Sequence, residues 1–309
     1  MTAILPERPS VFVGLGALVA SLAIFENSFA TTANLINLLQ QNALMGIVAL
    51  GMLVMMVSGG FDLSVGSIGA SASVAAAYTL KEIGAVAAFG AAVLVGAAAG
   101  LVNGLLITKA NINPFITTLG TATVISGLLY VTTEATPVYD VPDHFAVIGS
   151  GRTASIPNGF LIMVTVGIVL ALALEYTRFG RHLYATGADP DAADLLGVAT
   201  DRVRIKAYVI GGLCAALGGL ILLGQTGIGQ PTAADSWPLL AIAACVLGGA
   251  TLSGGVGTVT GTLTGVMALG VMSNGLNLMG VSPFWKPAAT GAILIAAVAI
   301  DSYRQGRRA

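Results

Sequence analysis

The residue types that usually do chemistry are scarce in this chain and scattered. It has two histidines, His144 and His182, which the topology read below puts on opposite sides of a membrane. Its two cysteines, Cys214 and Cys245, fall inside long apolar stretches, where they read as small packing residues and not as a metal or disulfide pair. No G-x-x-x-x-G-K-[ST] phosphate loop and no Cys/His cluster of metal spacing occurs. Neither enzymatic catalysis, a metal nor a nucleotide cofactor is expected. One carboxylate, Asp62, has long apolar segments on both sides, which makes it either the cap of the following helix with Ser64 or a gate on a path through it. Asn34, Asn37 and Gln41, at i, i+3 and i+7, share one helix face, while Asn103 and Asn274 sit near the ends of two other apolar stretches. Such neutral amides suit a path for an uncharged, hydroxylated solute, and equally suit hydrogen bonds between helices.

The polar segment 177–206 carries the clearest local design. Asp189 is a good N-cap, Pro190 fits the first helical position, Asp191 complements the helix N-terminus and Gly197 ends the helix. The result is a helix of about two turns carrying Ala192, Ala193, Leu195 and Leu196, too short to stand alone. It either packs on its own bundle or docks on a motor subunit.

These groups need long apolar elements to hold them. Of 309 residues, 56% are hydrophobic and 9% charged, against about 25% charged in ordinary soluble domains. The net charge of −1 gives no reason to expect nucleic acid as a partner. No charge occurs from Asn27 to Phe61, Ile83 to Thr108, Ala207 to Ala234 or Ser236 to Trp285. A span needs about 20 apolar residues. The expected fold class is therefore all-α, a polytopic membrane protein with about ten transmembrane helices. The spans fall near 11–25, 42–58, 64–80, 83–107, 113–133, 159–176, 205–224, 237–251, 256–276 and 284–301. The second starts as early as Asn34 in one reading, and the eighth is short enough to be broken or re-entrant. The first span's rival reading is a signal peptide, although no clean A-x-A site follows it.

With both termini cytoplasmic, ten of the thirteen Lys and Arg residues lie inside and only Lys81, Arg152 and Lys286 outside. That orientation puts Trp237, Trp285 and Asp235 near the outer boundary. It puts 177–206 in the cytoplasm and leaves 134–158 as the one sizeable outer segment of a single domain, 1–309. Gly96, Gly100 and Gly104 in the fourth span, and Gly257, Gly261 and Gly265 in the ninth, have the spacing of close helix packing, with a gating hinge as the alternative. Asn103-Gly104-Leu105 before Pro114-Phe115 is echoed by Asn274-Gly275-Leu276 before Pro283-Phe284, across oppositely directed spans. This is the pattern of an inverted-topology repeat. A second echo pairs Gly59-Gly60-Phe61-Asp62-Leu63-Ser64 with Gly248-Gly249-Ala250-Thr251-Leu252-Ser253, and does not fit that register.

Four stretches, in order, resemble one family. They are Gly59-Gly60-Phe61-Asp62-Leu63-Ser64-Val65-Gly66-Ser67, then Gly180-Arg181…Tyr184-Ala185…Gly187…Ala192-Ala193…Gly197, then Leu247-Gly248-Gly249…Leu252-Ser253-Gly254-Gly255…Gly257, then Asn274-Gly275-Leu276-Asn277-Leu278…Gly280-Val281-Ser282-Pro283-Phe284-Trp285. The chain resembles the permease subunit of bacterial ABC sugar importers of the ribose, galactose and xylose type. The resemblance implies ten helices with an inverted repeat in the bacterial inner membrane. It implies a second permease copy or paralogue, two cytoplasmic ATP-binding subunits and a periplasmic substrate-binding protein. It further implies that 180–197 couples ATP hydrolysis to alternating access for a monosaccharide-like solute. Trp237-Pro238-Leu239-Leu240 departs from the family, which commonly carries Tyr-Glu-Leu-Asp there. A permease of the same kind for nucleosides or other small polar solutes, and a stand-alone secondary carrier, are the alternatives.

Overall fold

The computed structural model describes residues 9–139 and 141–282, with single positions 284, 285, 288, 291, 292 and 295 beyond them. Most of the tenth expected span lies outside the described residues, as do the basic residues Arg8, Arg304, Arg307 and Arg308. Apart from loops, the described residues are helical except for a hairpin of two-residue strands, β1 (Arg152–Thr153) and β2 (Ile156–Pro157). The helices are α1 (Pro9–Phe25), α2 (Thr32–Val57), α3 (Val65–Glu82), α4 (Ala85–Thr108), α5 (Pro114–Thr133) and the single turn α6 (Ala146–Gly149). They continue as α7 (Asn158–Tyr176), α8 (Arg178–Ala188), α9 (Pro190–Leu195), α10 (Thr200–Thr226), α11 (Trp237–Leu247) and α12 (Val259–Leu278). Each of the first nine expected spans therefore has a helix. Six of these (α2, α4, α5, α7, α10 and α12) are long and apolar enough to cross a membrane.

Local chemistry sets the helix starts. Thr31, Asn113 and Thr258 accept hydrogen bonds from the backbone N–H groups of Asn34, Phe115 and Gly261, and Pro114 takes the first turn of α5. α2 and α10 are the buried centre of the bundle, whereas α4, α5 and α7 turn most of their apolar surface outward. Val86, Leu94, Ile116, Leu128 and Val131 are all exposed on α4 and α5. Such a surface suits lipid and not water.

Glycines bring the central helices together. A Cβ at Gly96 would meet the Gly212 carbonyl, one at Gly100 the Tyr208 carbonyl, and one at Gly104 the Ile205 backbone. The first small-residue stripe is thus the α4–α10 contact. Of the second stripe, Gly261 and Gly265 face Gly248 and Ala244 of the α11 segment, but Gly257 lies before α12 in an extended turn.

The eighth expected span begins where expected and is as short as expected. Its helix stops at Leu247 after 11 residues, and residues 227–236 before it are not helical. This stretch runs down α3: Gly229 lies against Val74 and Ala77, and the Ala234 carbonyl lies against Gly66. Its first residues are tied to the segment after α5 by a two-bond bridge between Val138 and Gly229. Trp237 is therefore not a boundary aromatic. It is 4% exposed, its indole filling the space left by Gly69 and Gly218, because burying a large ring outweighs an interfacial place for it. Asp235 is exposed, and its neighbour Ala234 lies beside the first turn of α3.

Candidate functional site

The polar segment folds as two short helices. Asp189 accepts from the Ala192 N–H at 2.9 Å, Pro190 sits in the first turn of α9, and Gly197 closes it at φ +82°. Ala193 is buried, while Asp191, Ala192 and Asp194 are exposed and Leu195 and Leu196 are 90% and 86% exposed. α9 thus turns two leucines and two carboxylates away from its own bundle.

α8 precedes it, a helix that the reading of the sequence did not place. Thr177 caps it by accepting from the Gly180 N–H, and Gly180, Leu183, Thr186 and Gly187 form its buried face. Both glycines are needed for contact. A Cβ at Gly180 would collide with the Leu174 carbonyl, and one at Gly187 with the Val57 carbonyl and the Gly255 N–H. Arg181 and Asp189 remain exposed and Pro190 partly so.

Gly187 marks the place where two distant loops meet. The Gly255 N–H donates to the Val57 carbonyl at 3.0 Å, and Gly254 lies against both Gly59 and Gly187. The Tyr184 hydroxyl donates to the Gly257 carbonyl at 2.7 Å. Burial, helped by Glu175, pushes the Tyr184 hydroxyl up to about 12, so it keeps its proton as a donor at neutral pH. The α2–α3 turn, the α11–α12 turn and α8 are therefore one packed unit. The second Gly-rich echo, which fits no repeat register, consists of two loops that touch.

Just beyond this junction, Asp62, Ser64 and Asn103 are all fully buried. The Ser64 N–H and hydroxyl donate to one Asp62 carboxylate oxygen at 2.6 and 2.5 Å. The Asn103 amide donates to the other at 3.0 Å and to the Ser64 hydroxyl at 2.9 Å. Asp62 is therefore not the cap of α3, whose N-cap is Ser64 without a side-chain cap bond; it fixes the turn just ahead of the helix and ties it to α4. Replacing Asp62 with alanine leaves three buried donors unmatched, and is expected to lower stability by about 1–3 kcal/mol, read as a lower unfolding midpoint in detergent. Asp62→Asn is expected to be far milder. The Asn103 side-chain oxygen has no partner, so a flipped Asn103 amide can accept from the new NH₂ group.

At the opposite end of the bundle, Asn34 and Asn274 exchange hydrogen bonds of 3.0 and 2.8 Å, joining the start of α2 to the end of α12. Asn37 and Gln41 are exposed on the same helix. Removing either member of the Asn pair is expected to lower the unfolding midpoint by the same amount as removing both, which a double-mutant cycle measures.

A scan against family models matches residues 34–298 to "Branched-chain amino acid transport system / permease component". The chain belongs to this permease family. The ribose import permease protein RbsC of Bacillus subtilis is 41% identical over 96% of this chain and 92% of its own length. The L-arabinose transport system permease protein AraH of Escherichia coli is 37% identical over 97% of this chain and 92% of its own. The galactose/methyl galactoside import permease protein MglC of the same organism is 35% identical over 98% and 96%. No solved structure matches.

In this permease, two further residues tie α10 to the α2–α3 turn. Arg204 donates from Nε to the Ser58 carbonyl at 3.4 Å, and the Tyr208 hydroxyl donates to the Phe61 carbonyl at 3.1 Å. Their i, i+4 spacing at the polar end of an apolar run was the available signal. An exposed ion pair, Lys109 with Asp201 at 2.7 Å, joins α4 to the first turn of α10 nearby.

Proposed function

We propose that this permease is the membrane subunit of an ATP-driven importer for a monosaccharide or similar uncharged solute, working by alternating access. The relatives' names support the cargo class, since they are ribose, arabinose and galactose permeases. In this reading the chain crosses the bacterial inner membrane ten times with both termini in the cytoplasm, and its two halves form an inverted repeat. It pairs with a second permease copy or paralogue, two cytoplasmic ATP-binding subunits and a periplasmic substrate-binding protein.

The observation that carries the proposal is the junction at Gly187. α9 presents Asp191, Ala192, Leu195 and Leu196 to a partner, and α8 is locked onto the two turns that lead into α3 and α12. A push on α9 is thus delivered to α2, α3, α11 and α12 together. Asp62 serves as the staple at the foot of α3, Asn103 completes it, and the Asn34–Asn274 pair is the reciprocal latch at the outer end. Asn37 and Gln41 line the approach to that latch.

Reconstitution tests the proposal. Vesicles holding the permease with its ATPase and binding protein are expected to take up sugar only with ATP, and vanadate is expected to stop it. Uptake by the permease alone, unaffected by vanadate, would overturn the reading in favour of a stand-alone carrier. Tyr184→Phe, which removes the bond to Gly257, is expected to lower stability by about 0.5–1.5 kcal/mol and to reduce the sugar moved per ATP hydrolysed.

A further inference from the structure

Two adjoining hollows lie where α8 meets α10. Arg178, His182, Arg202 and Lys206 line the first, of about 300 Å³. Ile205, Val209 and Ile210 line the second, of about 280 Å³, and Phe179 and Lys206 belong to both. The first is cationic and the second almost wholly apolar. All four basic side chains are exposed, and among the described residues none lies within ion-pair distance of a carboxylate. The adjacent acid in α10, Asp201, is engaged by Lys109 on the far side. The change from Arg202 and Lys206 to Val209 and Ile210 within two helical turns marks the passage of α10 from water into the apolar layer.

We propose that these hollows seat one anionic phospholipid of the inner leaflet, its phosphate held by Arg178, Arg202 and Lys206 and one acyl chain lying along Phe179, Val209 and Ile210. The placement in the inner leaflet rests on the orientation proposed above. A guanidinium donates two parallel hydrogen bonds to phosphate oxygens, and a basic pocket between helices at the cytoplasmic side is a recognised headgroup seat. A free phosphate satisfies the first hollow only, whereas a phospholipid satisfies both. Such a lipid fills the wedge between α8 and α10, and so braces the element that receives the motor's push.

The test uses the purified full chain in neutral detergent, with dioleoylphosphatidylglycerol or dioleoylphosphatidylcholine added and adducts read by native mass spectrometry. The wild type is expected to retain one phosphatidylglycerol on the order of tenfold more than phosphatidylcholine. The double variant Arg202→Ala/Lys206→Ala is expected to lose that preference. Ile210→Trp, which fills the trough and leaves every charge in place, is expected to lose the adduct as well. Equal retention of the two lipids by the wild type, or undiminished preference in either variant, overturns the proposal. So does complete displacement of the lipid by millimolar inorganic phosphate, which would make the site an anion pocket. If the double variant does not elute as a folded species, Ile210→Trp and the charge-keeping Lys206→Arg, expected to retain the adduct, decide the matter. None of these measurements needs ATPase or sugar, so a failure here leaves the importer reading standing. Loss of ATP-driven uptake with normal lipid selectivity overturns only that reading.

Discussion

Leu195→Asp combined with Leu196→Asp is expected to abolish ATP-driven uptake, by at least about a hundredfold, while leaving the unfolding midpoint of the isolated permease unchanged. Both side chains are almost fully exposed, so their removal takes no packing from the bundle. Surface substitutions of this kind usually change stability by within about 0.5 kcal/mol. The partner surface is where the loss falls. Two buried leucines at the centre of a contact are worth about 1.5–3 kcal/mol each, and a desolvated carboxylate without a partner adds more. Co-purification of the ATPase with the double variant, together with its uptake, measures the effect. A fall in the midpoint as large as that of a core variant would place the leucines inside the fold and sink the docking role of α9.

Gly187→Ala is expected to be nearly as damaging to transport, for the opposite reason. The added methyl falls on the Val57 carbonyl and the Gly255 N–H, which are hydrogen-bonded to each other at 3.0 Å. Both obstacles are backbone, so the strain cannot be relieved by rotating a side chain, and α8 must lift away from both turns. Overpacking of this kind typically costs about 1–3 kcal/mol. Two control substitutions separate the contact from glycine's other properties. Gly120→Ala in α5 meets nothing within 4 Å and is expected to be neutral or stabilising by up to about 1 kcal/mol, since alanine favours the helix. Gly197→Ala meets nothing either, but φ of +82° makes it strained by about 1–2 kcal/mol. Thermal melts of the three variants, with uptake normalised to protein in the membrane, distinguish the cases.

Some of what depends on near neighbours in the chain was legible beforehand. Asp189, Pro190 and Gly197 announce α9 because a cap, a first-turn proline and a left-handed stop act within one or two turns. Gly96, Gly100 and Gly104 announce a close helix contact by spacing alone, although not that α10 is the partner. Asp62 was read as a cap or a gate, whereas it binds Ser64 in the turn ahead of α3, and its bond to Asn103, 41 residues away, was not legible. α8 was hidden because the same residue, glycine, ends helices and admits close approach, and only the neighbouring backbone decides which. Trp237 was misplaced because an indole's preference for the interface holds only when no cleft of glycines is offered to it. The meeting of the Gly59 and Gly254 loops was read as an echo of sequence, since similarity between two loops does not say that they touch.

The brevity of α11 bears on how the chain enters the membrane. Its 11 residues rise about 16 Å, half of a hydrocarbon core of about 30 Å. A segment so short is a poor signal to the insertion machinery, which admits each stretch on its own partition energy. α11 and the unwound residues 227–236 must instead be drawn in by neighbours already in place, with Gly66 and Gly69 of α3 and Gly218 of α10 as the waiting cleft. Biogenesis is thereby ordered. The first half of the permease has to be seated before the second can close, and a chain with α3 deleted would leave α11 without its cleft.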